Sequence, residues 1–168
     1  TGELITLSEL LEEVGSDACR YFFLTRSPDA QMEFDIGLAT KQSQENPVYY
    51  IQYAFARISG ILRQANQIGI NDETSDVESL STYEEFQLIR KILQFPELID
   101  LIAKTLEPHH LTHYSLELAT TFHSFYDRCR VISDDTSLTK ARLRLVRSAH
   151  IALRRSLELM GMKAPDHM

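Results

Sequence analysis

The stretch Asn46-Pro47-Val48-Tyr49-Tyr50-Ile51-Gln52-Tyr53-Ala54-Phe55-Ala56-Arg57-Ile58-Ser59-Gly60-Ile61-Leu62-Arg63-Gln64-Ala65 decides the architecture. Asn46 carries a side-chain oxygen suited to the free N–H groups of a helix start. Proline is tolerated at the first helical position, because its missing N–H would be unpaired there anyway. From that point Ile51, Ala54/Phe55, Ile58, Ile61/Leu62 and Ala65 recur every three to four residues for about five turns, the period of a buried helix face. The spacing predicts one long helix ending near Gly69.

The same punctuation recurs in both directions. Thr6 with Glu9 and Thr82 with Glu85 fit capping boxes, in which hydroxyl and carboxylate satisfy backbone N–H groups reciprocally. The first opens a short helix from about Leu7 to Val14 that stops at Gly15. Ser16 is a plausible N-cap for the next, which carries Ala18, Tyr21, Phe22 and Leu24 and ends before Ser27-Pro28. Gln31 to Phe34 is the one stretch that suggests extended chain, and Asp35 can cap a helix through about Gln44. Asn71 to Ser81 is acidic, polar and aperiodic, and reads as an exposed loop. The Thr82 helix carries Phe86, Ile89 and Leu93 and stops before Pro96. A further helix covers about Glu97 to Leu106. Pro108 starts a longer one with Leu111, Tyr114, Leu118, Phe122 and Phe125 as its stripe. After a polar segment, Ser133 to Thr139, a last helix runs to Met160 and closes at Gly161. The expected fold is all-α, an antiparallel helical bundle with a short helical N-terminal segment.

The chain has 168 residues, 43% hydrophobic and 24% charged, the balance of an ordinary globular protein. Two cysteines, Cys19 and Cys129, cannot build a disulfide framework and suit a reducing compartment. No apolar run approaches the roughly 18 residues that span a bilayer. The first residue is Thr1, which reads as the start of an excised piece. A net charge of −7 argues against a uniformly basic nucleic-acid coat. That average conceals segregation: six acidic and no basic residues lie between Gly69 and Arg90. Conversely, Lys140 to Arg155 holds six basic residues (Lys140, Arg142, Arg144, Arg147, Arg154, Arg155) and no acidic one. Such a helix is either a solvated face or a phosphate-contacting surface to which Arg142, Arg144 and Arg147 contribute.

Tyr50, Tyr53 and Arg57 fall at i, i+3 and i+7, beside the apolar stripe of the long helix. Two phenols and a guanidinium on one face can stack on unpaired bases and bond their edges or a phosphate, although boundary tyrosines with wet hydroxyls share that pattern. His123, Tyr126 and Arg130 repeat the spacing on a later helix. His109 and His113 lie four apart, but no Cys pair or Glu follows at zinc-ligand spacing. Neither cysteine has a neighbouring histidine. Glu12-Glu13 and Glu84-Glu85 sit at exposed-looking helical positions, and phosphate-loop, dinucleotide and nucleophile-elbow patterns are absent. No catalytic constellation emerges.

Longer runs carry a resemblance. Glu12-Glu13-Val14-Gly15-Ser16-Asp17-Ala18-Cys19-Arg20-Tyr21-Phe22-Phe23-Leu24 with Arg26-Ser27-Pro28, and Asn46-Pro47-Val48-Tyr49-Tyr50-Ile51-Gln52-Tyr53-Ala54-Phe55-Ala56-Arg57-Ile58, are similar to bacterial arginyl-tRNA synthetases. Phe122-His123 … Phe125-Tyr126 … Cys129-Arg130-Val131 and the ending Gly161 … Ala164-Pro165 … Met168 continue the likeness over essentially the whole chain. The resemblance implies a C-terminal fragment: residues 1–45 as the end of a class I catalytic unit and 46–168 as the helical anticodon-binding domain.

It further implies that Tyr50, Tyr53, Arg57, Tyr126, Arg130 and Met168 meet the anticodon loop of arginine tRNA. The parent enzyme would be cytoplasmic and monomeric, ligating arginine with ATP and Mg through residues upstream of this fragment, which itself holds no cofactor or metal. The related cysteinyl enzymes and a helical protein-interaction module are the competing readings. Three departures stand out. Phe55 replaces the family's usual His, Arg130 occupies a position that is aromatic in eukaryotic relatives, and Asp166-His167 replaces Glu-Arg near the terminus.

Overall fold

The computed structural model describes residues 5–27, 30, 33–70 and 77–168. Among them the chain forms eight α-helices: α1 (Leu7–Val14), α2 (Ser16–Leu24), α3 (Ile36–Thr40), α4 (Pro47–Gln67), α5 (Tyr83–Leu93), α6 (Phe95–Thr105), α7 (His109–Arg128) and α8 (Thr136–Leu159). No described helix is long and apolar enough to cross a membrane.

The caps explain the boundaries. Asn46 accepts from the Val48 N–H at 3.0 Å and donates through its amide to the carbonyls of Ala39 and Lys41, so one buried side chain both opens α4 and ties it to α3. Both threonine capping boxes are present. Asp135 caps α8 by accepting from Leu138 N–H, so this helix starts within the segment expected to be loop. Ser16 is already helical, and the N-cap is Gly15, whose φ of 81° needs no side chain. The Asp35-capped helix ends at Thr40, short of Gln44. Gln31 and Met32 lie outside the described residues, and Glu33 and Phe34 are neither helix nor strand. Of the expected 71–81 loop, residues 71–76 lie outside the described residues, while Leu80 is buried in the core.

Three long helices, α4, α7 and α8, enclose the core together with the shorter α5. Phe55, Ile51 and Ile58 of α4, Leu118, Phe122 and Phe125 of α7, and Val146, Leu153 and Leu157 of α8 are all completely buried. Neighbours show the directions. Tyr50 meets His123 and Arg57 meets Tyr126, so α4 and α7 run in the same sense. Glu84 pairs with Arg128 and Lys91 with Glu117, so α5 opposes α7. Ser59 reaches His150 while Gln52 reaches Lys163, so α8 opposes α4. The α4–α7 and α5–α8 seams therefore lie on opposite sides of the bundle. The helix α2 closes one end, with the buried Tyr21 hydroxyl donating to the Thr112 carbonyl.

Two sequence expectations are corrected inside this core. Glu85 is fully buried, and Arg142 is 8% exposed. The Arg142 Nε donates to Glu85 Oε1 at 2.7 Å, and its Nη1 donates to the Arg130 carbonyl at 2.8 Å. Arg142 is thereby withdrawn from any phosphate-contacting surface: it shares the face of Val146, Ala149 and Leu153, which points inward. Burial alone would raise the Glu85 carboxyl. Hydrogen bonds from the Thr82 N–H, Arg142, the Ser81 N–H and the Thr82 hydroxyl together outweigh it and hold the group below the usual carboxylate range.

A second polar cluster fixes the C-terminal tail. Ser59 donates to Asp166 Oδ1 and contacts His150 Nε2, both at 2.9 Å, and Arg63 donates to the Asp166 carbonyl. The His150 ring stacks on Phe55 at 4.3 Å, and Phe55 is fully buried. Burial first, then the positive charge of Arg154 and Arg147 against the opposing charge of Asp166, hold His150 down at about 4.

Two outcomes follow. Glu85→Ala leaves Arg142 buried without a counter-charge, and should cost about 3–5 kcal/mol in urea unfolding, whereas replacing both residues with apolar ones of similar volume costs much less. His150 is harder to protonate folded than unfolded, where its value is about 6.5. Its contribution to stability is thus complete above about 6.5 and is lost as pH falls toward 4. A flat stability profile across that window in wild type, matching His150→Phe, would refute the assignment.

Candidate nucleic-acid interface

The face predicted on α4 exists and is completed by α7. Tyr49 and Tyr53 stack at 6.1 Å with rings 6° apart. His123 lies against Tyr50 (4.7 Å) and Tyr53 (5.7 Å). The Arg57 guanidinium stands 4.8 Å from the ring centres of both Tyr53 and Tyr126, between one phenol from each helix, and donates to the Tyr53 hydroxyl. Tyr126 remains 37% exposed. The result is a slot walled by two aromatic rings and filled by a cation.

Electrostatics suit a polyanion here. Arg57 is the charge in the slot, and His123 is neutral: burial first, then the nearby Arg57 charge, lower its affinity for a proton against the opposing pull of Asp127. Among the described residues, its Nε2 is buried without a hydrogen-bond partner. A neutral ring keeps a flat polarizable face toward the tyrosines and adds no desolvated charge.

The remaining expected residues are dispersed. Arg130 is exposed just beyond α7, where it borders a cavity that Tyr126 also lines. Met168 is 57% exposed at the end of the tail. On α4 the contacts that fix the tail are with Gln52, Ser59 and Arg63, a stripe separate from Tyr50, Tyr53 and Arg57, and on α2 Asp17 accepts from the Lys163 N–H. Asp166 serves this anchoring through both its carboxylate and its carbonyl. Arg144 is exposed at the α5–α8 seam beside Ile89 and Leu93, on the other side of the bundle from the slot. Arg147 is exposed on α8 near His150. The basic helix thus divides into a buried structural arginine and exposed ones that do not converge on the aromatic face.

The histidine cluster takes a different form from the expected pair. His109, His110 and Glu107 offer ligand atoms within 4.8 Å of one another. They stand at the N-terminal end of α7, where the helix dipole opposes a cation.

Sequence reasoning did not single out Gln64 or Asp127, which border the same cavity as Tyr126. A signal was available for Gln64, since it lies seven residues beyond Arg57 and so on the same helix face.

Comparison with known proteins places this geometry. Residues 51–168 match the family described as DALR anticodon binding domain. The chain is 54% identical over 168 residues to an arginine–tRNA ligase of Dehalococcoides mccartyi (strain CBDB1), covering all of this chain and 30% of that protein. It is 50% identical over 171 residues to that of Carboxydothermus hydrogenoformans, covering 31% of it. The chain thus spans about 30% of the length of the curated relatives it matches. Among solved structures, a putative arginyl-tRNA synthetase from Campylobacter jejuni superposes with a TM-score of 0.89 at 30% identity, over 99% of this chain and 36% of that one. The Thermus thermophilus arginyl-tRNA synthetase superposes with a TM-score of 0.81 at 28% identity, over 99% and 28%. The match covers α4 from Ile51 through the tail, the region that builds the slot, and the chain belongs to the DALR anticodon-binding domain family.

Proposed function

We propose that this chain recognises the anticodon arm of arginine tRNA on behalf of an arginine–tRNA ligase, with residues 46–168 as the recognition domain and 1–45 as the end of the preceding catalytic unit. The observation that carries this reading is the Tyr53–Arg57–Tyr126 sandwich. Arginine, ATP and Mg would be handled by the rest of a cytoplasmic, monomeric enzyme, and the chemistry is amino-acid activation followed by esterification of the tRNA 3′ end.

Tyr53 and Tyr126 share one guanidinium as neighbour, and a flat base can take its place against the ring of Tyr126, which is 37% exposed. A cation–π contact contributes about 0.5–2 kcal/mol, and stacking of an unpaired base contributes about 1–3 kcal/mol. Exchange of Arg57 for a base is therefore close to balanced within the slot. The displaced guanidinium, still tethered to α4, then meets the base edge or an adjacent phosphate, and this tips the exchange toward binding. Tyr50 and His123 support the slot from the N-terminal side of α4. Such recognition acts on binding, so losing it raises KM more than it lowers kcat.

In the full-length enzyme, Tyr53→Ala and Tyr126→Ala should each weaken binding of an arginine tRNA transcript by about 1–3 kcal/mol in filter-binding titrations. Wild-type affinity should also drop when the anticodon bases are changed. Unchanged affinity in both variants would exclude the slot as the recognition site. Binding indifferent to anticodon sequence and to salt would instead favour a protein-interaction bundle.

A further inference from the structure

The turn between α6 and α7 gathers three metal-ligating side chains at the end of α7 farthest from Tyr126. Leu106 closes α6 in the left-handed region, with φ 60°, a conformation uncommon for residues other than glycine. Beyond it, Glu107 Oε2 lies 3.3 Å from His110 Nε2. The His109 ring lies against that of His110, with centres 4.2 Å apart. One ligand atom from each of Glu107, His109 and His110 stands within 4.8 Å of the other two. Among the described residues, no other three histidine, cysteine or carboxylate side chains are gathered so closely. A Glu107–His110 ion pair accounts for two of these groups but not the third, since the His109 ring makes no hydrogen bond among the described residues.

We propose that Glu107, His109 and His110 form a surface site for one divalent first-row transition-metal ion, zinc, which pins the start of α7 to the turn that follows α6. Two imidazole nitrogens and one carboxylate oxygen are donors that zinc takes at about 2.0–2.2 Å. Tetrahedral donors at that bond length stand about 3.4 Å apart. The present separation closes to this by side-chain rotation, because Glu107 is exposed and both histidines are only half-buried. Zinc has no d-electron preference for one geometry, so three ligands from adjoining positions suit it, with water in the fourth place. Magnesium and calcium favour oxygen donors and match two imidazoles poorly. The dipole of α7 opposes a cation here, which at an exposed helix end weakens binding about two- to fivefold. No carboxylate follows the histidines at ligand spacing, but Glu107 precedes them, and the turn at Leu106 brings it alongside. His113, whose ring is 6.1 Å from that of His109, lies outside the set.

The test titrates the metal-free, untagged 168-residue chain with zinc chloride, followed by calorimetry and thermal unfolding. One equivalent binds with a Kd on the order of micromolar, weaker than a four-ligand structural site, and zinc raises the Tm as any ligand of the folded state does. His109→Asn and His110→Asn each weaken binding at least as much as the roughly 10–100-fold lost when an outer-shell partner is removed. Glu107→Gln also weakens it, and His167→Asn, in the tail, leaves it unchanged. A second measurement needs no variant: substoichiometric copper(II), which is paramagnetic, broadens the imidazole resonances of His109 and His110 ahead of those of His123, His150 and His167. Binding that needs millimolar zinc, that magnesium matches, or that survives both histidine variants overturns the site. So does a loss in His113→Asn equal to that in His110→Asn, which assigns the ion to the helical pair of His109 and His113 instead.

Discussion

One buried ion pair joins the elements that shape one end of the helical bundle. Glu85 Oε2 accepts from the backbone N–H groups of Ser81 and Thr82, both at 2.8 Å, while Oε1 accepts from Arg142. The same arginine donates to the carbonyl of Arg130. The start of α5, the end of α7 and the first turns of α8 are thus held by one carboxylate and one guanidinium. Charges so far removed from water persist only when paired and hydrogen-bonded, as both Glu85 oxygens and the Nε and Nη1 of Arg142 are. Because the carbonyl of Arg130 is one of the ligands, the pair also sets the position of the chain that borders the cavity beyond Tyr126.

The second constraint is the parallel course of α4 and α7. A guanidinium between two phenols needs rings from different helices at matching heights. Tyr53 and Arg57, one turn apart on α4, meet Tyr126 because α7 packs alongside α4 at a matching height. The α5–α8 seam on the other side carries apolar groups and Arg144 instead. The net charge of −7 is thus an average over the molecule, while Arg57 and Arg130 place positive charge on one seam beside the Asp127 carboxylate.

Much of the fold was legible in the chain. Thr6 with Glu9, Thr82 with Glu85 and Asn46 with Pro47 mark helix starts where they occur, since caps are local interactions among residues a few positions apart. The stripe from Ile51 to Ala65 likewise announces the buried face of α4. Tyr50, Tyr53 and Arg57 were legible as one face for the same reason. Glu85 was misread because a capping glutamate is ordinarily exposed, and its burial depends on α8 arriving from 57 residues away. Arg142 was misread as one cation among six. Its phase with Val146, Ala149 and Leu153 was the available clue, outweighed by the expectation that charged residues face water.

The sequence by itself determined the helices, their caps and the faces they offer, because these follow from periodicity and short-range hydrogen bonds. Only the tertiary structure decided that Arg57 lies between Tyr53 and Tyr126, that Arg142 serves the core, and that Gln64, Asp127 and Arg130 surround one cavity. Those facts depend on which helices become neighbours and in which direction they run. That choice is made by packing between residues far apart in the chain, and no local pattern encodes it.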